Sequence, residues 1–154
     1  MIDFSRFTHD HMVIALQMMF PNLVSGRDYR CFHQLDAEGN QVGLPMIGIW
    51  RSNELRCPSD EEVHAFFEAN EEAIRAKHIR MFRDMELLAT DGKANAPVDA
   101  PPQVRELSAQ WQNFRQSLRD VPEQEGFPFN VEWPDSPHVA QMTGGMSAVE
   151  DAAQ

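Results

Sequence analysis

The chain has 154 residues, 42% of them hydrophobic, and a formal net charge of −11. This length suits one domain, or a small domain with a helical extension, and it supplies enough apolar residues for a core. Residues 120–154 carry seven acidic residues and no lysine or arginine, which argues against nucleic-acid binding because that function needs a basic surface.

The N-terminal region, residues 1–57, is predicted to be a small α+β region that starts with a helix. Thr8 can cap a helix over residues 9–20, and Pro21 ends it. His9 and His11 point about 200° apart on that helix, so they do not converge on a metal ion. The helix contains the longest apolar run, Met12–Leu16, which is far shorter than the ~20 residues that cross a bilayer.

Residues 29–50 predict an antiparallel β-hairpin that follows this helix. Residues 29–34 alternate as a strand does, residues 36–40 have turn chemistry, and Pro45 marks the start of a second strand at 46–50. A two-stranded hairpin is marginal alone, so the first helix or a partner must cover one face. Cys31 and Cys57 form no metal-binding pattern and are expected to be free thiols in a reducing cytosol.

Residues 58–120 predict a helical hairpin whose first helix runs from Asp60 to about Thr90. Ser59 caps this helix with Glu62 in a capping box, and Asn70 lies on its apolar seam. Asn70 either fixes the register of a helix pair or is an ordinary solvated residue. The seam comprises Val63, Phe67, Asn70, Ile74, Met81, Met85 and Leu88.

A linker at 91–102 leads to the second helix, which Pro101 and Pro102 open and Pro122 ends. Its stripe comprises Val104, Leu107, Trp111, Phe114 and Leu118, which fall on one face. Both stripes are narrow, as in coiled coils, so the helices pair with each other or with another chain. Residues 121–137 predict an extended Pro/aromatic segment, and residues 138–154 a disordered acidic tail.

The sequence contains no phosphate loop, nucleophile elbow or HExxH motif. The acidic residues between Glu61 and Glu72 are typical of a solvated helix face rather than of a catalytic carboxylate pair. Catalytic residues, cofactors and metals are therefore not predicted, and the chain is interpreted as a non-enzymatic protein.

The order Trp-x-x-Phe-Arg-x-x-Leu-Arg-Asp-x-Pro, Gly-Phe-Pro and Val-x-Trp-Pro-x-x-Pro resembles the C-terminal signature of tail assembly proteins of tailed bacteriophages. The likeness spans about residues 83–137, and many relatives have Tyr where this chain has Phe114. The order of elements in the N-terminal region is also similar to that of some tail assembly proteins. The residues that carry the signature are Trp111, Phe114, Arg115, Leu118, Arg119, Asp120, Pro122, Gly126, Phe127, Pro128, Val131, Trp133, Pro134 and Pro137.

The resemblance implies an α+β tail or tail-fibre assembly chaperone that covers an aggregation-prone tail component in the host cytoplasm. A structural tail or fibre-attachment component of the virion is the alternative, and a small host-directed enzyme or regulator is a third hypothesis. The expected partner is a tail or tail-fibre protein, with homo-oligomerisation through the helix stripes also open, and neither nucleic acid nor membrane is expected. The predicted partner-binding residues are Trp111, Phe114, Leu118, Phe127, Pro128, Phe129, Trp133 and Pro134.

Overall fold

The computed structural model describes residues 6–137, so the predicted acidic tail at 138–154 lies outside the described residues. The elements in chain order are helix α1 (His9–Met19), strands β1 (Tyr29–Leu35) and β2 (Gln41–Trp50), and helices α2 (Asp60–Ala69), α3 (Glu71–Ala89) and α4 (Pro102–Asp120). This order confirms the predicted α+β class. The described residues pack as two units, a first unit of residues 6–80 and 128–130 and a second unit of residues 81–127 and 131–137.

Helix α1 begins at the predicted cap and supplies much of the core of the first unit. The Thr8 hydroxyl accepts the His11 backbone N–H, and the Thr8 N–H donates to the His11 ring, so the two residues form a reciprocal capping box. The buried side chains of this core come from α1, β1, α2 and α3. They are Met12, Ile14, Ala15, Leu16, Tyr29, Val63, Phe67 and Ile74.

Strands β1 and β2 form the predicted antiparallel hairpin, but β2 begins at Gln41, before the predicted start at Met46. The prediction that Pro45 starts the strand is therefore wrong. Pro45 lies inside β2, where the pairing is irregular between the Phe32–Met46 and Gln34–Val42 pairs. Proline fits there because an interrupted ladder does not need its missing N–H.

A side chain of α1 contacts the backbone of β1, and a side chain of α2 contacts the backbone of β2, near the middle of the hairpin. Cys31 and Ile47 face each other in the register. The Cys31 carbonyl contacts the His9 ring of α1 at 3.2 Å, and the Ile47 N–H donates to the Asp60 carboxylate of α2 at 2.8 Å. Backbone groups on an unpaired edge would otherwise offer a template for another strand.

The outer face of the hairpin carries an aromatic ring over a glycine. The Phe32 ring lies so close to Gly48 that a Cβ added to the glycine would be 2.5 Å from Cδ1 of the ring. Only a residue without a side chain leaves room for the ring in this position.

The single helix predicted for residues 60–90 is wrong, because the chain forms two helices that meet at Asn70. Asn70 ends α2 with φ −127° and ψ 22°, and its side-chain amide donates to the Phe66 carbonyl at 2.9 Å. Its amide therefore caps a helix end and does not set the register of a helix pair. The predicted capping box of Ser59 and Glu62 is confirmed at the start of α2.

The predicted seam is also interrupted beyond this point. Val63, Phe67 and Ile74 are buried, whereas Met81, Met85 and Leu88 of α3 are 47%, 60% and 77% exposed. The predicted seam residues of α3 therefore face a core only in its first turn.

Candidate partner-binding region

The second unit is built around an aromatic cluster on α4. Trp111, Phe114 and Leu118 are buried, and the Trp111 and Phe114 rings meet edge to face with centroids 5.7 Å apart. They share one face because their spacing of three and four residues follows the helix period. Val104 belongs to the same predicted stripe but is 46% exposed, so the buried stripe begins one turn later.

The connector between α3 and α4 is fixed to this cluster by hydrogen bonds. The Ala94 carbonyl accepts from the Ser108 hydroxyl at 2.7 Å and from the Gln112 amide at 3.0 Å. The Lys93 ammonium lies over the Trp111 ring, 4.5 Å from its centroid, in a cation–π arrangement. Residues 91–94 therefore pack on α4, although their composition resembles that of a flexible linker.

Arg115 joins the end of α3 to α4. Its guanidinium donates to the Leu87 carbonyl and to the Thr90 hydroxyl, and it lies 3.5 Å from the Asp91 carboxylate. The Leu87 side chain packs against the aromatic cluster of α4. These contacts connect the last turns of α3 to α4.

The Pro/aromatic segment, residues 121–137, is held in place by the side chain of Gln124. Its amide donates to the Glu132 carbonyl and accepts the Glu132 N–H, both at 2.8 Å. Residues 121–123 form a 3-10 turn and residues 125–129 further turns, so the prediction of an extended chain is wrong for this half. The turns follow because Pro122 ends α4 while its fixed φ still suits a tight turn.

Trp133 returns the Pro/aromatic segment to the core of the second unit. Its ring meets the Phe82 ring of α3 edge to face with centroids 5.0 Å apart, and its side chain packs against the aromatic cluster. The segment therefore completes the core of the second unit.

An open groove lies between α4 and the last residues of the Pro/aromatic segment. The groove has an apolar floor and an exposed polar wall. Its lining residues are Gln110, Asn113, Phe114, Ser117, Pro134, Asp135 and Pro137. Amide and hydroxyl groups beside prolines and an aromatic ring can bind an extended peptide by hydrogen bonds and apolar contact.

The structure divides the predicted partner-binding residues between core and surface. Trp111, Phe114 and Leu118 are buried, and Phe127, Trp133 and Pro134 are half-buried, all in the second unit. Pro128 and Phe129 belong to the first unit, where Pro128 is buried and Phe129 is 59% exposed. Partner binding by these eight residues stays a prediction, and the structure adds that three of them form a core.

Sequence reasoning missed the polar wall of the groove. Gln110, Asn113 and Ser117 are exposed and follow one another at helical spacing beside Phe114. The same helical wheel that identified the apolar stripe places these residues next to it.

Within residues 6–137, no group of three or more His, Cys, Asp or Glu side chains is arranged to hold a metal ion. No helix in this part of the chain is long and apolar enough to cross a membrane.

The comparisons with known proteins match two adjoining parts of the chain. Residues 76–138 match the family model described as phage tail assembly chaperone protein, and residues 12–75 match the family model described as XkdW protein. Searches of curated proteins and of solved structures find no match. The matched region 76–138 contains the signature residues and the groove, so the resemblance seen in the sequence is confirmed. Residues 76–138 are therefore similar to a family of phage tail assembly chaperones, and both matches support a phage tail assembly protein.

Proposed function

We propose that the chain is a tail assembly chaperone that acts through protein contacts, without catalysis, in the host cytoplasm during assembly. The observation that carries the proposal is the family match over residues 76–138, a range that contains α4 and the groove beside it. In this role, the groove between α4 and the Pro/aromatic segment binds an extended segment of a tail or tail-fibre protein.

The composition of the groove supports a binding role over an enzymatic one. Asp135 is the one titratable side chain in its lining, and it is exposed, so the groove lacks a pair of groups that could exchange a proton. Prolines and an aromatic floor suit recognition of an apolar segment.

Exposed apolar side chains of α3 support a contact role for the second unit as well. Met81, Met85 and Leu88 follow one another at spacings of four and three residues, so they lie on one face of the helix. Methionines suit contacts that must adapt to a partner. These three residues belong to the stripe predicted for the first helix. Through this exposed face, the chain would bind a tail protein or a second copy of itself.

The alternative is a structural tail or fibre-attachment component, in which the same groove would remain occupied in the virion. Mass spectrometry of purified particles from the source phage or prophage separates these two roles. A chaperone is abundant in infected cells and missing from particles. A structural component is present at a fixed ratio to the other tail proteins.

The groove itself is tested by Gln110→Arg, which places a long cation on its wall. Co-expression with the tail proteins, followed by co-purification, should show loss of the complex with this variant. Gln116→Arg is the matched control, because Gln116 is exposed on the same helix and does not line the groove. Equal binding by the two variants would place the partner elsewhere on the chain.

A further inference from the structure

A continuous line of polar contacts links β1, α1 and α3 within the first unit. It runs from the Cys31 carbonyl to His9, Asp10, His78, His11 and finally the Thr8 N–H. The His78 Nδ1 and His11 Nε2 atoms are 2.9 Å apart, and the other four contacts are each 3.2 Å long. His11 is fully buried and His78 is 4% exposed, so the centre of this line is shielded from water.

The Thr8 backbone fixes the protons on the two buried rings. A backbone N–H can only donate, so Nδ1 of His11 accepts and its proton resides on Nε2. His11 therefore donates to Nδ1 of His78. His78 in turn carries its proton on Nε2 and donates it to the Asp10 carboxylate. This pattern requires a single proton on each ring, because a second proton would oppose another donor, the Thr8 N–H at His11 and the Nε2–H of His11 at His78.

His9 requires the opposite state. Its Nε2 faces the Cys31 carbonyl and its Nδ1 faces the Asp10 carboxylate, and both of these oxygens can only accept. His9 satisfies both contacts when each ring nitrogen carries a proton. The Asp10 carboxylate then lies between a cationic imidazole and a neutral one.

We propose that this line is a two-sided protonation latch, complete only when His9 is cationic while His11 and His78 are neutral. Acid opens it at the start of α1, because the second proton of His11 lies on Nδ1 and opposes the Thr8 N–H. Alkali opens the latch at His9, because the neutral ring can donate to only one of its two oxygen partners, the Cys31 carbonyl and the Asp10 carboxylate. The latch is independent of the proposed chaperone role.

The charged groups around the latch favour these states. Burial is the main cause that lowers the pKa of His11 to about 4, the Arg75 guanidinium of α3 acts in the same direction, and the Arg6 backbone and the Asp10 carboxylate oppose it. Arg75 is itself paired with Glu71 at 2.8 Å. Asp10 raises the pKa of His9, and His78 and His9 hold the pKa of Asp10 well below its usual range. Toward α2, His11 meets the Phe67 ring, and the neighbouring Phe7 ring contacts His64.

The direct test is 15N spectroscopy of the imidazole rings in the full chain between pH 4.5 and 8.5. At pH 6, we expect His11 and His78 as neutral Nε2–H tautomers and His9 protonated on both nitrogens. A cationic His78, or a proton on Nδ1 of His11 at this pH, would overturn the proposal.

The variant His11→Gln tests the mechanical consequence. Glutamine at this position keeps a side-chain acceptor for the Thr8 N–H and does not titrate. Amide exchange of residues 12–16 should accelerate at least tenfold in the parent chain between pH 7 and pH 4.5, after correction for intrinsic exchange. His11→Gln should remove most of this acceleration, whereas His64→Gln should retain it. Equal acceleration of exchange in all three chains would refute the latch. If His11→Gln does not fold, the 15N spectra of the parent chain test the proposed protonation states directly.

Discussion

The two units join their helices by different chemistry. In the first unit, buried imidazoles of α1 and α3 bind each other, and their protons decide whether the contacts form. In the second unit, the side chains of Arg115, Ser108 and Gln112 bind backbone carbonyls. A guanidinium, a hydroxyl and an amide do not titrate between pH 4 and 9. The first unit is therefore expected to be sensitive to pH, and the second to side-chain truncation.

The largest expected effect is that of Trp111→Ala on the second unit. Trp111 is 3% exposed and contacts Phe114 and Lys93. Removing such a side chain should lower the free energy of unfolding by about 3–5 kcal/mol. Urea unfolding followed by circular dichroism gives the value. Val104→Ala, on the exposed end of the same stripe, should change it by less than about 0.5 kcal/mol.

A folded Trp111→Ala variant that has lost only partner binding would contradict this placement. It would show that the tryptophan contacts the partner directly, as the sequence alone suggested.

Acidification should weaken the first unit before the second. The pKa of His11 is near 4 in the folded chain and 6.5 for a solvated histidine of the unfolded chain, so the unfolded chain binds more protons between these values. Stability therefore falls as pH drops from 6.5 to 4, by on the order of 3 kcal/mol at 1.36 kcal/mol per pKa unit. The raised pKa of His9 does not offset this loss, because its stabilising contribution is already complete below pH 6.5 and declines only as the pH rises above that value. Residue-resolved amide exchange at pH 5 should show residues 12–16 opening before residues 107–118, and the reverse order would contradict the comparison.

Arg115→Lys should destabilise the second unit by about 1–3 kcal/mol, because one ammonium nitrogen cannot replace Nη1, which binds Leu87 and Thr90, together with Nη2, which binds Asp91. Thermal unfolding measures the effect. Arg119→Lys is the control, since Arg119 is exposed on the last turn of the same helix. Equal losses from the two substitutions would show that only the charge of Arg115 matters.

The smallest effect is expected from Asn70→Ala, at about 1 kcal/mol, because one side-chain bond to the Phe66 carbonyl is lost. Urea unfolding measures the loss of free energy. Asn113→Ala is the control, because Asn113 is an exposed asparagine on α4. A stabilised Asn70→Ala variant would mean that α2 and α3 can fuse into the single helix that the sequence predicted.

The sequence was sufficient to predict where helices begin, because helix starts depend on residues that are close together in the chain. Thr8, Ser59 and Pro102 identify three helix starts because caps and N-terminal prolines act within a few residues. The helix end at Asn70 was not predicted, because an asparagine on an apolar seam gives the same sequence pattern whether it continues a helix or caps one.

The candidate site shows a different limit of sequence reasoning. The stripe of Trp111, Phe114 and Leu118 was correctly placed on one helix face, but amphipathic spacing does not say whether that face meets the same chain or a partner. His9 and His11 were not expected to converge on one ligand. The ring that completes their contacts is His78, 67 residues after His11, and only the tertiary fold brings it there.

The contact between Phe32 and Gly48 has a consequence for how the hairpin folds. Gly48 is the site in β2 over which the Phe32 ring can lie without meeting a Cβ. A strand pair that slipped by one residue would bring Ile47 or Ile49 under the ring and force it into solvent. The glycine therefore discriminates between alternative pairings through steric exclusion and favours the native alignment.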